Sequence, residues 1–228
     1  MDEWLPRRQL YLQSLILHNS GRHTSLCESC GNPEALWHCK DCLGQQQLCR
    51  DCCRRTHERL PFHRIQYWKG THYVPDLLSN LGVVVNLGHS GRVCPQLTTS
   101  FNPIVAIRKS IENVEPAGVY QSPSGIVDHP SDAKEFTIGH TNGFHKVWIR
   151  FCHCTKAGRE EYHLMELGLY PLSFQRVESA FTFHMLDDFR LENLECKTSL
   201  YHYHGKLQRM TSPLTPNDVP VSAFIFQN

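Results

Sequence analysis

The chain has 228 residues, enough for one large domain or two small ones. Its 23 Lys+Arg balance 22 Asp+Glu, so no global basic field attracts it to nucleic acid or to an anionic membrane. Hydrophobic residues make up 40% of the chain, but the apolar runs are too short to span a bilayer. The N-terminus also lacks the basic and apolar regions of a signal peptide. We therefore expect a protein that is not secreted and has no membrane partner.

The first predicted element is a helix in residues 1–22. Leu5, Leu12, Leu15 and Ile16 recur at helical spacing. Acidic residues precede the apolar positions, and Asn-Ser-Gly follows them, as is typical of the two ends of a helix.

Residues 23–69 concentrate the ligand chemistry of the chain. In a protein that is not exported, clustered cysteine pairs bind metal more often than they form disulfides. Three C-x-x-C pairs precede two histidines, and structural zinc takes four Cys or His ligands in a tetrahedron, so eight ligands predict two Zn²⁺ ions. The candidate ligands are Cys27, Cys30, Cys39, Cys42, Cys49, Cys52, His57 and His63.

We favour an interleaved pairing, the cross-brace of a small two-zinc module. One ion takes the first and third cysteine pairs, Cys27, Cys30, Cys49 and Cys52. The other takes Cys39, Cys42, His57 and His63. Sequential pairing stays open, although it would leave each half with almost no apolar core. Cys53 is an alternative to Cys52, and Asp41 is a weaker rival to Cys42.

The segment has few large apolar side chains, and these cannot alone offset the entropy of ordering it. We expect metal binding to supply the missing stability, so a chelator should unfold the segment. Four arginines between residues 54 and 64 are either a patch for DNA phosphates or a solvated surface, and we favour the solvated surface.

The remaining chain predicts a mixture of strands and helices. Residues 70–97 contain a short strand in "GVVVN", and residues 98–134 read as a poorly ordered insertion rich in Pro, Ser and Thr. Residues 135–212 begin with two β-rich runs around Thr-Asn-Gly, a strong hairpin signal, and continue into helical patterns. Residues 213–228 form a tail. The predicted fold class is α+β: a helix, a two-zinc module, then a β-hairpin with C-terminal helices.

A possible second cluster lies in "FCHC". Cys152 and Cys154 are two residues apart, so on a strand both side chains point to one face and can hold one ion. The alternative is buried thiols beside surface histidines. The possible partners of this pair are Cys94, His89, His140, His145 and His163.

From the sequence, we expect that the protein is not an enzyme. It has no glycine-rich phosphate loop, no nucleophile elbow and no HExxH motif. The acidic residues from Asp187 to Glu195 fall on one helical run, where a solvated surface is the better interpretation. We expect no catalytic residue and no small-molecule substrate.

The cysteine segment resembles a B-box-type zinc finger. More of the chain resembles the cysteine-cluster region that precedes the catalytic core of KDZ transposases, the CxC-like cluster of the second type. The matching stretches, in the same order, are "YLQSLILH", the three C-x-x-C pairs, "CCRRTHERLPFHRIQYWKG", "LGVVVNLGHSGRVCP", "FTIGHTNGFHKVWIRFCHC" and the run from "AFTFHMLDDF" to "KLQRMT".

This resemblance implies a zinc-binding N-terminal module in a truncated transposase without its catalytic core. It carries Cys27 to His63 over as zinc ligands, and it matches Cys94, Cys152 and Cys154 to the family's later cysteines. The implied partner is a protein or transposon DNA, and the nucleus is favoured over the cytoplasm. The alternative is a B-box-type protein-interaction module unrelated to transposition.

Overall fold

The computed structural model of the chain describes residues 3–20, 24–98, 125, 130–154, 157–173 and 177–219. These residues form helices and two β-sheets, so the predicted mixture of α and β structure is confirmed. Most of the predicted insertion at 98–134, and the tail from residue 220, lie outside the described residues. No helix within the described ranges has the length and apolar character that a membrane crossing requires.

The N-terminal helix α1 spans Arg8–Ser20 and follows a 3₁₀ turn at Leu5–Arg7. It lies within residues 1–22, where the apolar spacing predicts a helix, but begins later and ends earlier. Its described side chains are all exposed, including Leu10, Leu15 and Leu17 at about 60%. This helix therefore contributes nothing to the cores described below.

The first sheet and one helix frame the cysteine segment. The strands pair antiparallel in the order β1-β2-β3, and the helix α2 lies between β1 and β2 along the chain. The elements are β1 (Trp37–Cys39), α2 (Arg50–His57), β2 (Ile65–Trp68) and β3 (Tyr73–Asp76).

The core of this first module is small and reaches beyond the cysteine segment. Trp37 and Ile65 are almost fully buried, and they share a cluster with Leu78 and Leu81, which follow β3. The Trp37 indole N–H donates to the Asp76 carboxylate over 3.1 Å, which links β1 to the end of β3. The segment that follows β3 thus packs on the same core as the cysteines.

The second sheet has five strands in the order β4-β6-β5-β8-β7. β5 and β6 form an antiparallel hairpin around the predicted Thr-Asn-Gly turn, while β4 runs parallel to β6 and β8 runs parallel to β5. The elements are β4 (Val84–Asn86), α3 (Pro95–Thr98), β5 (Lys134–His140), β6 (Gly143–Arg150), α4 (Glu160–Glu166), β7 (Leu169–Pro171), β8 (Ser179–Thr182), α5 (Phe183–Cys196) and α6 (Leu200–Thr211).

The side chains of this sheet alternate between two cores, as the period of two in a strand requires. Ile138 of β5 and Ile149 of β6 face a core that includes Leu164 of α4. Phe144 of β6 and Phe181 of β8 face the opposite side, where α5 and α6 contribute a second group of buried residues, Met185, Tyr203 and Leu207.

The turn of the β5–β6 hairpin contacts the cysteine module. The Asn142 side-chain amide donates to the Phe62 carbonyl over 2.9 Å, and it lies 3.4 Å from the Asp41 carboxylate. The Phe62 ring packs against His140 and His145 of the hairpin. The two sheets are therefore joined at the segment that carries the last predicted metal ligands.

Candidate metal centres

The first centre gathers Cys27, Cys30, Cys49 and Cys52. Their sulfurs lie within 4.8 Å of one another, and the sulfurs of Cys30 and Cys49 are 3.6 Å apart. Sulfurs bound to one tetrahedral zinc at about 2.3 Å lie about 3.8 Å apart, so the group has the size that zinc requires. Cys49 precedes the first residue of α2 and Cys52 lies in its first turn, so this helix fixes half of the centre.

The second centre gathers Cys39, Cys42, His57 and His63. The Cys42 sulfur lies 3.4 Å from both His57 Nε2 and His63 Nδ1, and the Cys39 sulfur lies 3.5 Å from His63 Nδ1. The ligand atoms again fall within 4.8 Å of one another. Together, the two centres have the composition of the interleaved pairing.

The environment of the second centre orients its ligands. His57 Nδ1–H donates to the Cys53 carbonyl over 2.8 Å, which leaves the Nε2 lone pair directed toward Cys42. The Asp41 backbone N–H points at the Cys39 sulfur over 3.4 Å. These contacts hold the imidazole and the thiolate in the orientation that metal coordination requires.

A third centre lies at the edge of the second sheet. Because β4 and β6 are parallel neighbours, the segments that follow them meet at the same end of the sheet. The segment after β4 supplies His89 and Cys94, and the segment after β6 supplies Cys152 and Cys154. His89 Nε2 is 3.2 Å from the Cys152 sulfur and 3.4 Å from the Cys154 sulfur. The sulfurs of Cys94 and Cys154 are 3.6 Å apart.

An unusual turn presents His89 to this centre. Residues 88–91 all have positive φ, with 48° at His89 and 55° at Ser90. Such values cost non-glycine residues roughly 1–2 kcal/mol each. A side chain at Gly88 would place its Cβ 3.0 Å from the Cys152 Cβ, so glycine is needed where the turn approaches the cysteine.

In the first and third centres, the pKa of one cysteine thiol is lowered and the pKa of another is raised. Backbone hydrogen bonding, chiefly at His153, lowers the pKa of Cys94 to about 6, whereas hydrogen bonds to Cys152 and Cys94 raise the pKa of Cys154 to about 12. In the first centre, burial opposes ionisation of Cys27, but backbone hydrogen bonds lower its pKa to about 6. Burial raises the pKa of Cys49 to about 12. Neighbouring thiolates repel one another, and a divalent cation removes that conflict.

The alternatives that the sequence left open have other partners. Cys53 is fully buried in the first core, which raises its pKa, and it lies outside the four-sulfur group. Asp41 forms an ion pair with Arg64 over 2.6 Å. His140 bonds to the Thr182 hydroxyl, and His145 bonds to Asn142.

Two of the five possible partners of Cys152 and Cys154 lie beside them in the structure. The structure brings Cys94 and His89 to them, whereas His163 lies near Gly88 without joining the group. Cys152 and Cys154 lie in a part of the chain that a family model matches. Residues 122–215 match the family model of the CxC2-like cysteine cluster associated with KDZ transposases. This match confirms the resemblance to that family.

The CxC2 match covers less than half of the chain. It includes the β5–β6 hairpin, Cys152 and Cys154, and both C-terminal helices, whereas the eight ligands from Cys27 to His63 precede it. No curated protein and no solved structure matches the chain.

Proposed function

We propose that the chain is a non-catalytic module of a KDZ-type transposase in which three zinc ions fix the fold. The observation that carries this proposal is the recurrence of four-ligand groups, each compact enough for one tetrahedral ion. Thiolate and imidazole donors suit zinc better than they suit magnesium or calcium. The third group adds one ion to the two that the sequence predicts.

Four protein ligands in each group leave no coordination position for a substrate or a reactive water, so the centres are structural. The first two have the interleaved order of a B-box-like cross-brace. Their ions would supply the stability that the small core around Trp37 and Ile65 lacks. The function of the module would then be binding, in the nucleus, where a transposase meets its DNA.

Metal analysis of the purified full chain tests the proposal. We expect three zinc ions per chain by plasma mass spectrometry. The double variant Cys152→Ser/Cys154→Ser should retain two ions, while Cys196→Ser is the matched control because Cys196 is exposed at the end of α5 and belongs to none of the groups. Protein that carries no zinc, or a near-UV spectrum unchanged after chelation, would overturn the proposal.

For the binding partner, the charge distribution favours a protein over DNA. Arg64 is paired with Asp41, and the Arg55 guanidinium donates to the Cys52 sulfur over 3.3 Å. Two of the four arginines between residues 54 and 64 therefore have partners within the module. DNA binding through Arg54, Arg55 and Arg59 would instead require all three to face phosphates.

Fluorescence anisotropy with transposon-end DNA separates the two partners. If three arginines contact phosphates, a plot of the logarithm of the binding constant against the logarithm of the salt concentration should have a slope near −2.7, about −0.9 for each contact. The variant Arg54→Glu/Arg55→Glu/Arg59→Glu should then lose binding. We expect weak binding that the charge reversal barely changes. A steep slope that the charge reversal abolishes would replace the protein partner with DNA.

A second candidate is a B-box-type protein-interaction module unrelated to transposition. The interleaved grouping of the ligands from Cys27 to His63 favours it, because this grouping lies outside the CxC2 match. Residues 24–83, expressed alone, would have to bind two zinc ions and retain the partner binding of the full chain. Loss of partner binding in that fragment would exclude this candidate.

A further inference from the structure

The apolar surface of α1 has no counterpart in the cores of the described chain. Every described side chain from Glu3 to His18 is exposed. Viewed down the helix axis, six apolar residues share one broad face, and Leu10 and Leu17 form a narrow stripe on the other side. The broad face contains Tyr11, Leu12, Leu15 and Ile16 of α1, together with Trp4 and Leu5 of the turn that leads into it.

A helix of this kind requires a partner. Isolated helices shorter than about 12–15 residues are marginal in water, and α1 has 13 residues. Helices with apolar residues on more than one side are normally buried. The hydroxyls of Ser14 and Ser20 donate hydrogen bonds to carbonyls of the same helix and not to other elements of the fold.

We propose that the broad face of α1 pairs with the same face of a second copy of this chain. At roughly 100 Å² for each of six half-exposed side chains, the pair would bury on the order of 1,200 Å² in total, the lower end of the range for stable interfaces. A two-fold dimer is the simplest arrangement for one apolar face, because two-fold symmetry brings the same surface of both copies together.

Charge sets the orientation of the pair. Arg8 lies within the broad face, so a parallel, in-register pair would place two guanidinium groups side by side. In a fully overlapping antiparallel pair of Leu5–Ser20, the two Arg8 positions lie about 13.5 Å apart along the axis. That separation exceeds the screening length of about 8–10 Å at physiological salt, so the antiparallel pair avoids the repulsion.

Sedimentation of the full zinc-loaded chain over a range of micromolar concentrations tests the pairing. We expect a concentration-dependent dimer. The variant Leu12→Glu/Leu15→Glu should weaken dimerisation at least about 100-fold, because it places charge in an apolar contact. The control Gln13→Glu/Ser14→Glu adds the same two charges off the broad face and should change the dissociation constant by less than about threefold. Glutamate is a good helix former, so both variants keep the helix.

The zinc content should be the same in all three proteins, which separates this inference from the proposed metal centres. A wild type that stays monomeric at every concentration overturns the inference. So does an equal loss of dimer in the control. A monomer whose α1 amides are protected from hydrogen exchange would show that the chain's own residues cover the helix, which also overturns it. Dimerisation that strengthens with salt would overturn the antiparallel orientation.

Discussion

The buried imidazole of His145 makes a quantitative pH prediction. Its Nε2–H donates to the Asn142 side-chain oxygen over 2.7 Å, and the amide N–H of Asn142 is committed to the Phe62 carbonyl. Burial, and then the neighbouring His140, lower the pKa of His145 from 6.5 to about 3. The folded protein therefore holds this ring neutral across the physiological range.

The sign of the effect follows from proton uptake. The unfolded chain binds a proton at His145 below about pH 6.5 and the folded chain does not, so acid favours unfolding. The contribution is complete above about pH 6.5 and is lost as the pH falls toward 3. Between pH 7.5 and 5.5, the free energy of unfolding should fall by about 1.4 kcal/mol from this group alone.

Urea unfolding of the wild type and of His145→Gln at both pH values isolates the effect. Glutamine can still donate to Asn142 but does not titrate. Protonation of the metal ligands also destabilises the fold in acid, but it does so in both proteins and cancels in the difference when free zinc is held constant. We expect the variant to lose about 1.4 kcal/mol less than the wild type. Equal pH dependence in the two proteins would refute the reasoning.

Three further predictions concern glycines, a helix cap and a spare thiol. Gly205→Ala should raise the free energy of unfolding by about 0.5–1 kcal/mol, because an alanine Cβ meets nothing within 4 Å on α6. Gly139→Ala should lower the free energy of unfolding by about 1–3 kcal/mol, because that Cβ would lie 2.6 Å from a Phe181 ring carbon. The urea midpoints of the two glycine variants measure these effects. A shift of both midpoints in the same direction would contradict the argument. Thr182→Ala should lower the free energy of unfolding by about 1–2 kcal/mol, because the Thr182 hydroxyl accepts a hydrogen bond from the Met185 N–H at the start of α5. An unchanged urea midpoint would show that this helix cap does not stabilise the fold. Cys53→Ala should leave the zinc content at the wild-type value, whereas Cys52→Ala should lower it by one ion; zinc loss from the first of these variants would place Cys53 among the ligands.

Elements with strong local chemistry could be predicted from the sequence. The β5–β6 hairpin follows from Thr-Asn-Gly, since glycine at 143 adopts a φ of 134° that other residues rarely reach. Helix α1 follows from its apolar spacing. The eight ligands from Cys27 to His63 stand out because three pairs of identical spacing precede two histidines.

Elements that depend on distant partners could not be predicted. From Ser179 onward the sequence pattern predicts helix, but Ser179–Thr182 forms strand β8 and α5 begins only at Phe183. Those residues form a strand because β5 and β7 pair on either side of them. The choice of His89 among five possible partners depends on the parallel pairing of β4 and β6, and such pairing has no local sequence signal.

Cys94 and Cys154 are 60 residues apart in sequence yet adjacent in space. A contact between two such distant positions closes a loop in the chain. The entropic cost of closing a flexible loop grows only with the logarithm of the number of residues in it. Doubling the number of residues would cost only about 0.6 kcal/mol. Evolution could therefore add or remove residues between α3 and β5 almost freely, so we expect relatives of this protein to differ most in length there.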